Sequence, residues 1–357
     1  MSDFSTATRS HDILLIGGGA ASLGLLCTLI RTGQAEDCSV LMLDDSPGRC
    51  GRSGAYARTY DVPVRTLRSC LTGLPDLIQD DEDLAKAFDG LVDDDCRVPR
   101  PQVEAFLARL KRLVLNHMRR SGSLILRAAR CDTLRHEDGF WRVDNQPGSA
   151  SQRVVLACGA SEKKTAILAQ LLECGLSPDQ LEKVVRSSDA LGKDRDSVLQ
   201  RIGGMQAQGV VILGRTQAGA QAVRDQLQDW GRVMESVSVS TLSVADTQAG
   251  VLTRSLSDAG LIITALGESP DFPRILVDGQ VVKMGGPVAV DPYDRLMDRA
   301  GFLLPDAHAI GPALGGVQAG SPDQAADPTQ DLALWFTDVG EQLAMPDVID
   351  DYAEQAA

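Results

Sequence analysis

Gly17, Gly19 and Ser22 carry the strongest chemical signal in this chain, in the run Ile13-Leu14-Leu15-Ile16-Gly17-Gly18-Gly19-Ala20-Ala21-Ser22. A pyrophosphate needs backbone N–H groups at a helix N-terminus and no side chains in the way. Gly17 permits a tight turn and Gly19 lets the backbone approach phosphates. Ala20 and Ala21 open the helix, and Ser22, in the usual place of a third glycine, is small enough for close packing. The acid that holds a ribose belongs at the end of the next strand. Asp44 stands there, with Asp45 beside it, and the loop 34–38 absorbs the slightly long spacing.

A second turn, Gly214-Arg215-Thr216-Gln217-Ala218-Gly219, follows another apolar strand. Gly214, Thr216, Gln217 and Ala218 are candidates for holding a second dinucleotide. Thr216 replaces the central glycine, and its Cβ would crowd a pyrophosphate. No acid or basic pair follows in Ser236–Thr241, so NADH and NADPH are not told apart. A turn that has lost its ligand is the alternative.

Other reactive residues are scattered. The eight cysteines form no CxxC pair and the four histidines are not spaced as metal ligands. Reduced thiols in a cytoplasm are therefore expected, with no metal. Arg49, Arg52, Arg58, Arg65 and Arg68 lie in the loop 48–74, with Tyr56 and Tyr60. Such a cluster could grip pyrophosphate or a carboxylate, and equally could pair with surface acids. No catalytic side chain is assigned, though His308 precedes a late glycine and could carry a proton.

The elements that must position these residues alternate along the chain, which argues α/β with parallel sheets. Strands are expected at 12–16, 39–43, 124–130, 140–143, 153–157, 209–213, 237–240 and 261–265, and helices at 20–32, 101–120, 221–229 and 329–343. Residues 46–100 read as irregular, 162–202 as a polar helical insert, and 306–314 as an approach to a glycine turn. His136–Gly139 reads as a turn between the strands at 124–130 and 140–143. The length of 357 residues suits two domains, or one with an insertion, and 43% apolar residues suffice for a core. A net charge of −14 repels nucleic acid. Residues 1–11 show no basic apolar leader, and the glycines after Ile16 argue against reading 13–30 as a membrane span.

Five segments together resemble the flavoproteins with two dinucleotide-binding domains, and within them the flavin-dependent monooxygenases. They are the two glycine turns, Val154-Val155-Leu156-Ala157-Cys158-Gly159-Ala160, Leu261-Ile262-Ile263-Thr264-Ala265-Leu266-Gly267, and His308-Ala309-Ile310-Gly311-Pro312-Ala313. The 154–160 and 261–267 segments are similar to the family's crossovers between domains. The 308–313 segment is similar to the stretch that closes over the flavin ring. Val185-Arg186-Ser187-Ser188-Asp189 resembles the segment before the second turn in such monooxygenases, with Arg186 where histidine is usual.

The resemblance implies two Rossmann-like domains, each a doubly wound parallel sheet, the second inserted in the first. Residues 1–160 and 269–345 would form the FAD-binding domain, 161–268 the NAD(P)-binding-like insert, and 346–357 an acidic tail. FAD would lie on the first turn, with Arg49 and Arg52, which follow the Asp44 strand closely, toward its pyrophosphate, Cys131 near its adenine, and Cys158, Gly159, Gly311 and Pro312 also at the cofactor. NAD(P)H would be the reductant. The implied activity is a single-component monooxygenase acting on nitrogen, sulfur or a carbonyl carbon of a small molecule, with no nucleic acid or membrane partner; the oligomeric state is not readable.

Some positions depart from the family pattern. Cys158 and Leu266 replace crossover residues, Glu268 stands where many N-hydroxylases have tyrosine, and no F-x-G-x-x-x-H motif is present. Cys50 stands alone, so a thioredoxin-reductase-like dithiol function is not expected. The alternatives are a flavin dehydrogenase or oxidase taking hydride from its own substrate, and a non-catalytic flavoprotein.

Overall fold

The computed structural model describes residues 10–311, apart from 49, 51–61, 87–95, 99, 162–163, 174, 188–189, 191–194, 205–208, 215–216, 218–219, 222, 225–236, 245–246, 266–268, 271, 285–289 and 292–294. The chain divides into two compact units. Unit 1 comprises residues 1–52, 60–159 and 270–357; unit 2 comprises 53–59 and 160–269.

Unit 1 opens with β1 (His11–Ile16), α1 (Ala20–Arg31) and β2 (Val40–Leu43). Then come β3 (Val62–Pro63), α2 (Val64–Ser69), α3 (Asp76–Gln79), α4 (Glu82–Ala85), β4 (Arg97–Val98) and α5 (Arg100–Arg120). β5 (Leu124–Arg127), β6 (Thr133–Glu137), β7 (Phe140–Val143) and β8 (Ser151–Leu156) complete its first part. Unit 2 contains β9 (Ala160–Ser161), α6 (Lys164–Glu173), a 3-10 helix (Pro178–Lys183), β10 (Val184–Arg186), α7 (Arg195–Gly203), β11 (Val210–Gly214), β12 (Val239–Ser243), α8 (Ala249–Asp258) and β13 (Leu261–Ala265). β14 (Ser269–Pro270) leads back to β15 (Arg274–Val277), β16 (Gln280–Val281), β17 (Arg295–Met297) and β18 (Leu303–Ala309).

The main sheet runs β16-β15-β6-β7-β8-β1-β2-β5, and β18 joins β8. Around β1 it is parallel: β5-β2-β1-β8-β18. Strands buried on both faces must be apolar throughout, which is why Leu14, Leu15, Val154, Val155 and Leu156 are wholly buried. Alternate residues feed two clusters. Ile13, Leu15, Val40, Met42 and Val155 pack under α1 and α5. Leu14, Ile16, Leu41, Leu43, Val154 and Leu156 pack instead with Leu134, Trp141, Val143 and Ile275 of the antiparallel part of the sheet. The helix face of α5 is apolar at Val103, Phe106, Leu107, Leu110, Val114, Leu115 and Met118, the stripe expected for a core helix.

Unit 2 repeats the principle with four parallel strands in the order β10-β13-β11-β12. Val211, Leu213 and Ile262 face one cluster with residues of α6 and α8. Val210, Ile212, Leu261 and Ile263 face the other, with Val198 and Ile202 of α7. The result is an apolar layer on each side of the sheet.

Several expected elements are corrected. Residues 46–100 are not simply irregular, since α2, α3, α4, β3 and β4 lie there. Segment 124–130 is no hairpin partner of 140–143. β5 pairs with β2, and β7 pairs with a strand not foreseen, β6. The hairpin turn is Asp138-Gly139, at φ 54 and 75, and Asp278-Gly279 makes another at φ 48 and 75 between β15 and β16. The insert 162–202 holds a strand, β10, besides its helices. The strand expected at 237–240 runs from Val239 to Ser243. Residues 306–309 belong to β18, so the late glycine follows a strand directly. The expected helix 329–343 and the acidic tail lie outside the described residues. Among the described residues no helix is long and apolar enough to cross a membrane.

Trp141 is fully buried, and its indole N–H donates to the Pro305 carbonyl at 2.7 Å, tying β7 to β18. Trp141→Phe leaves that carbonyl without its donor and should lower stability by about 1–3 kcal/mol. Urea denaturation followed by circular dichroism measures this; an unchanged midpoint would refute the assignment.

Candidate functional site

Parallel register puts the ends of four strands in one row. Leu43, Ile16, Leu156 and Ala309 are successive Cα partners across β2, β1, β8 and β18. The segments that follow therefore leave the same edge of the sheet. Backbone hydrogen bonds lock them there: Asp44 N–H donates to Arg127 O at 3.1 Å, Gly17 N–H to Leu43 O at 2.8 Å, Ala157 N–H to Ile16 O at 2.8 Å and Ile310 N–H to Leu156 O at 3.0 Å. From β1 the chain goes first to β2 on one side and later to β8 on the other. That reversal is the switch point where open α/β sheets bind ligands, outside the carboxyl ends of their strands.

Gly17 sits at φ 104, and a Cβ there would lie 2.4 Å from the Ala157 carbonyl oxygen. Only glycine fits, because β8 runs directly beside the turn. Gly19 caps α1 in an extended conformation without a side-chain hydrogen bond, and the first turn of α1 carries no acid. Its N-terminus is thus electrostatically suited to an anion. Ser22 is buried, and its hydroxyl donates to the Gly17 carbonyl at 2.7 Å. Serine in the third place therefore braces the turn as well as packing closely.

Asp44 is buried at the end of β2, while Asp45 is exposed. One Asp44 carboxylate oxygen accepts from the Ser46 N–H at 3.0 Å. The other accepts from the Lys111 ammonium at 2.6 Å, and Lys111 also donates to Gly18 O at 2.7 Å. Sequence reasoning missed Lys111. The signal was present: it is a lysine four residues after Leu107 and three before Val114, inside the apolar stripe of α5. Gly18 acquires a reason too, since a Cβ there would lie 1.9 Å from an Asp44 carboxylate oxygen and 2.7 Å from the Lys111 nitrogen.

The other expected residues of unit 1 distribute as follows. Gly159 lies at φ 71 with open space where a Cβ would point. Gly311 lies at φ 75, and a Cβ there would come within 2.7 Å of the Ala21 Cβ, so the late glycine touches the first turn of α1. Cys158 is half-buried, its thiol 3.7 Å from the Ile16 carbonyl oxygen. Cys131 follows β5 and, like Cys158, packs against the cluster containing Leu43 and Leu156. Arg52 and Pro312 lie outside the described residues, as do Arg49, Arg58, Tyr56 and Tyr60. Arg65 and Arg68 are exposed on α2. His308 is buried within β18, opposite Val155 and Arg295, one residue before the row of strand ends.

Five thiols are held away from their reactive thiolate form. Burial pushes Cys27, Cys50 and Cys131 up to about 12 and Cys38 up to about 11, and raises Cys70 as well. At Cys50 the Lys111 charge opposes burial and Asp44 adds to it, which puts the thiol within electrostatic reach of the buried pair. All the described cysteines are free.

In unit 2, Gly214 ends β11, and Gln217 donates through its amide to the Thr241 hydroxyl at 2.8 Å. Gln217 is thereby turned toward β12. Thr216 and Ala218 lie outside the described residues. Gly214 is the register partner of Ser243, the place that corresponds to Asp44 beside Gly17 in unit 1. Ser243 is fully buried. An acid for a ribose is therefore absent from that position.

The edge of unit 1 fits a dinucleotide. Its turn has no room for a side chain at Gly17 or Gly18, α1 starts without a side-chain cap, and an acid stands at the end of β2. No family model matches the sequence, and no curated protein matches it. Solved structures are similar in fold. Thioredoxin reductase from Lactococcus lactis, in its FR conformation, is 11% identical, with 94% of this chain and 97% of that chain covered and a TM-score of 0.50. The copper(II) complex of the flavoprotein disulfide reductase RclA from Escherichia coli is 14% identical, over 94% of this chain and 71% of that one, with a TM-score of 0.48. For L-proline dehydrogenase from P. horikoshii the values are 13%, 97%, 59% and 0.42, so this chain spans 59% of that protein's length. At 11% identity the Lactococcus lactis structure speaks for the fold alone. The chain shares its fold with that thioredoxin reductase, and it carries two Rossmann-like sheets.

Two measurements check this geometry. Gly17→Ala should destabilise the protein by on the order of 3 kcal/mol, from left-handed backbone and the Ala157 clash together; a thermal melt equal to wild type would contradict it. At pH 8 a thiol near 12 is ionised to about one part in ten thousand. Cys27, buried and pushed up to about 12, should therefore react with Ellman's reagent at least about a hundredfold faster after urea unfolding. Fast labelling of the folded protein at Cys27 would show otherwise.

Proposed function

We propose that unit 1 binds FAD along this sheet edge and that the protein is an FAD-dependent oxidoreductase. The observation that carries the reading is the gathering of the Gly17 turn, Asp44, Gly159 and Gly311 at the switch point of the sheet. The N–H groups that open α1 would hold the pyrophosphate, with Gly17 to Gly19 keeping side chains away. Asp44 would accept from ribose hydroxyls, and Gly311, packed on Ala21, would bring the late segment against the same turn. Cys131, Cys158, Asp45, Arg52 and Pro312 are further candidates along this edge. FAD, when bound, supplies the two-electron chemistry. The chain's own part is to bind, orient and exclude water.

Within that class we favour a single-component monooxygenase that takes its electrons from NADH or NADPH at the Gly214 turn and oxygenates a nitrogen, sulfur or carbonyl carbon of a small molecule. The five family-like segments support it. The buried thiols of Cys27 and Cys70 support it against dithiol chemistry, since a thiolate is the reactive form and burial suppresses it. One observation favours a second reading: Ser243 replaces the acid beside the Gly214 turn. A turn with no acid at that position suits a scaffold, and the protein would then take hydride directly from its substrate as a dehydrogenase or oxidase.

The purified protein, reconstituted with FAD, should show a flavin visible spectrum. Anaerobic mixing with NADH or NADPH should bleach it within seconds. Bleaching by an organic substrate but by neither nucleotide would replace the monooxygenase with the dehydrogenase reading. A protein that takes up no FAD would remove both.

A further inference from the structure

Lys111 is an expensive residue to bury. It sits on the apolar stripe of α5, only 3% exposed, and its ammonium gives up water to reach acceptors that include two among the described residues. Those acceptors are the Asp44 carboxylate and the Gly18 carbonyl, so one charge ties α5, the end of β2 and the glycine turn together. Buried ion pairs contribute little net stability compared with apolar packing of similar size. A hydrophobic residue at position 111 would continue the stripe of Leu107, Leu110 and Val114 at lower cost. The arrangement is better explained by what it does to Asp44.

Both carboxylate oxygens of Asp44 are fixed, one by the Ser46 N–H and one by Lys111. The carboxylate is pressed so closely against the turn that Gly18 has no room for a Cβ. An ionised carboxylate offers about four acceptor positions, and these two donors occupy two. The remaining two suit a pair of ribose hydroxyls. The same ammonium offsets the negative charge of Asp44 near the place where a pyrophosphate would bring more.

We infer that Lys111 is a positioning residue of the dinucleotide site: it holds Asp44 against Gly18 in the orientation that accepts the adenosine ribose hydroxyls. This rests on the reading that unit 1 binds FAD. Lys111 need not touch the ligand, and it acts through Asp44.

The test uses full-length apoprotein, FAD, and the FAD analogue whose adenosine ribose lacks its 2′-hydroxyl. Dissociation constants come from quenching of flavin fluorescence. Wild type should prefer FAD over the analogue by at least about tenfold, the value of a hydrogen bond to a charged acceptor. Asp44→Asn and Lys111→Met should each reduce that preference to about threefold or less. If Lys111→Met weakens both ligands equally and keeps the preference, Lys111 is merely structural and the inference fails. It fails too if wild type binds FAD without preference. Lys111→Met leaves a buried carboxylate unpaired, so its folding is checked by circular dichroism. Should it not fold, Asp44→Asn is compared with Asp44→Asn/Lys111→Met, which buries no charge at this place. The two should bind FAD within about twofold of each other. A further tenfold loss in the double variant would mean that Lys111 acts other than through Asp44, and would overturn the inference. A wild-type protein that binds no FAD at all fails before any variant is compared, and that result removes the FAD reading itself.

Discussion

Everything in unit 1 depends on the parallel hydrogen bonding of β1 between β2 and β8. Those bonds set the register of Leu43, Ile16 and Leu156, and so send three turns out over one edge. They also bury β1 on both faces, which forces an apolar strand and a covering layer on either side. The demand on Gly17 follows from the same pairing, since the neighbouring strand brings the Ala157 carbonyl too close for any side chain. Fold and candidate site are therefore two consequences of one set of backbone contacts.

The buried pair of Lys111 and Asp44 adds a second constraint across this frame. α5 lies far along the chain from the first turn, yet its lysine reaches the Gly18 carbonyl at 2.7 Å. The glycine-rich turn is shaped from both sides: the β8 backbone crowds Gly17, and an ion pair crowds Gly18. Glycines that serve a ligand and glycines that serve packing look alike in a sequence. Here the second kind accounts for two of the three.

The two units are built alike and equipped differently. Each has a central strand between parallel neighbours, apolar clusters on both faces and a glycine at the strand end. At the matching register position one has Asp44, held by two donors, and the other has the buried hydroxyl of Ser243. A carboxylate can accept two ribose hydroxyls at once, and a buried serine cannot replace it. Among the described residues, that position gives the two units different chemistry.

The sequence by itself determined the local matters. The apolar runs at Ile13–Ile16 and Val210–Leu213 read as strands because double burial demands an unbroken apolar run. The turn at Gly17, the acid at Asp44 and the late Gly311 were legible because short-range spacing decides them. The Asp138-Gly139 turn was legible too, although its strand partner was assigned wrongly, and the same dipeptide at 278–279 went unread. Tertiary structure alone decided which strands pair, because hydrogen-bond partners such as β5 and β2 are far apart in sequence. It also decided the fate of Lys111, whose charge suggests solvent until the stripe around it is seen to be buried. Alignment of Ser243 with Asp44 likewise needed the register of β12, which apolar patterning placed two residues too early. Local geometry is written in neighbouring residues; pairing, burial of charge and convergence at one edge arise only when distant segments meet.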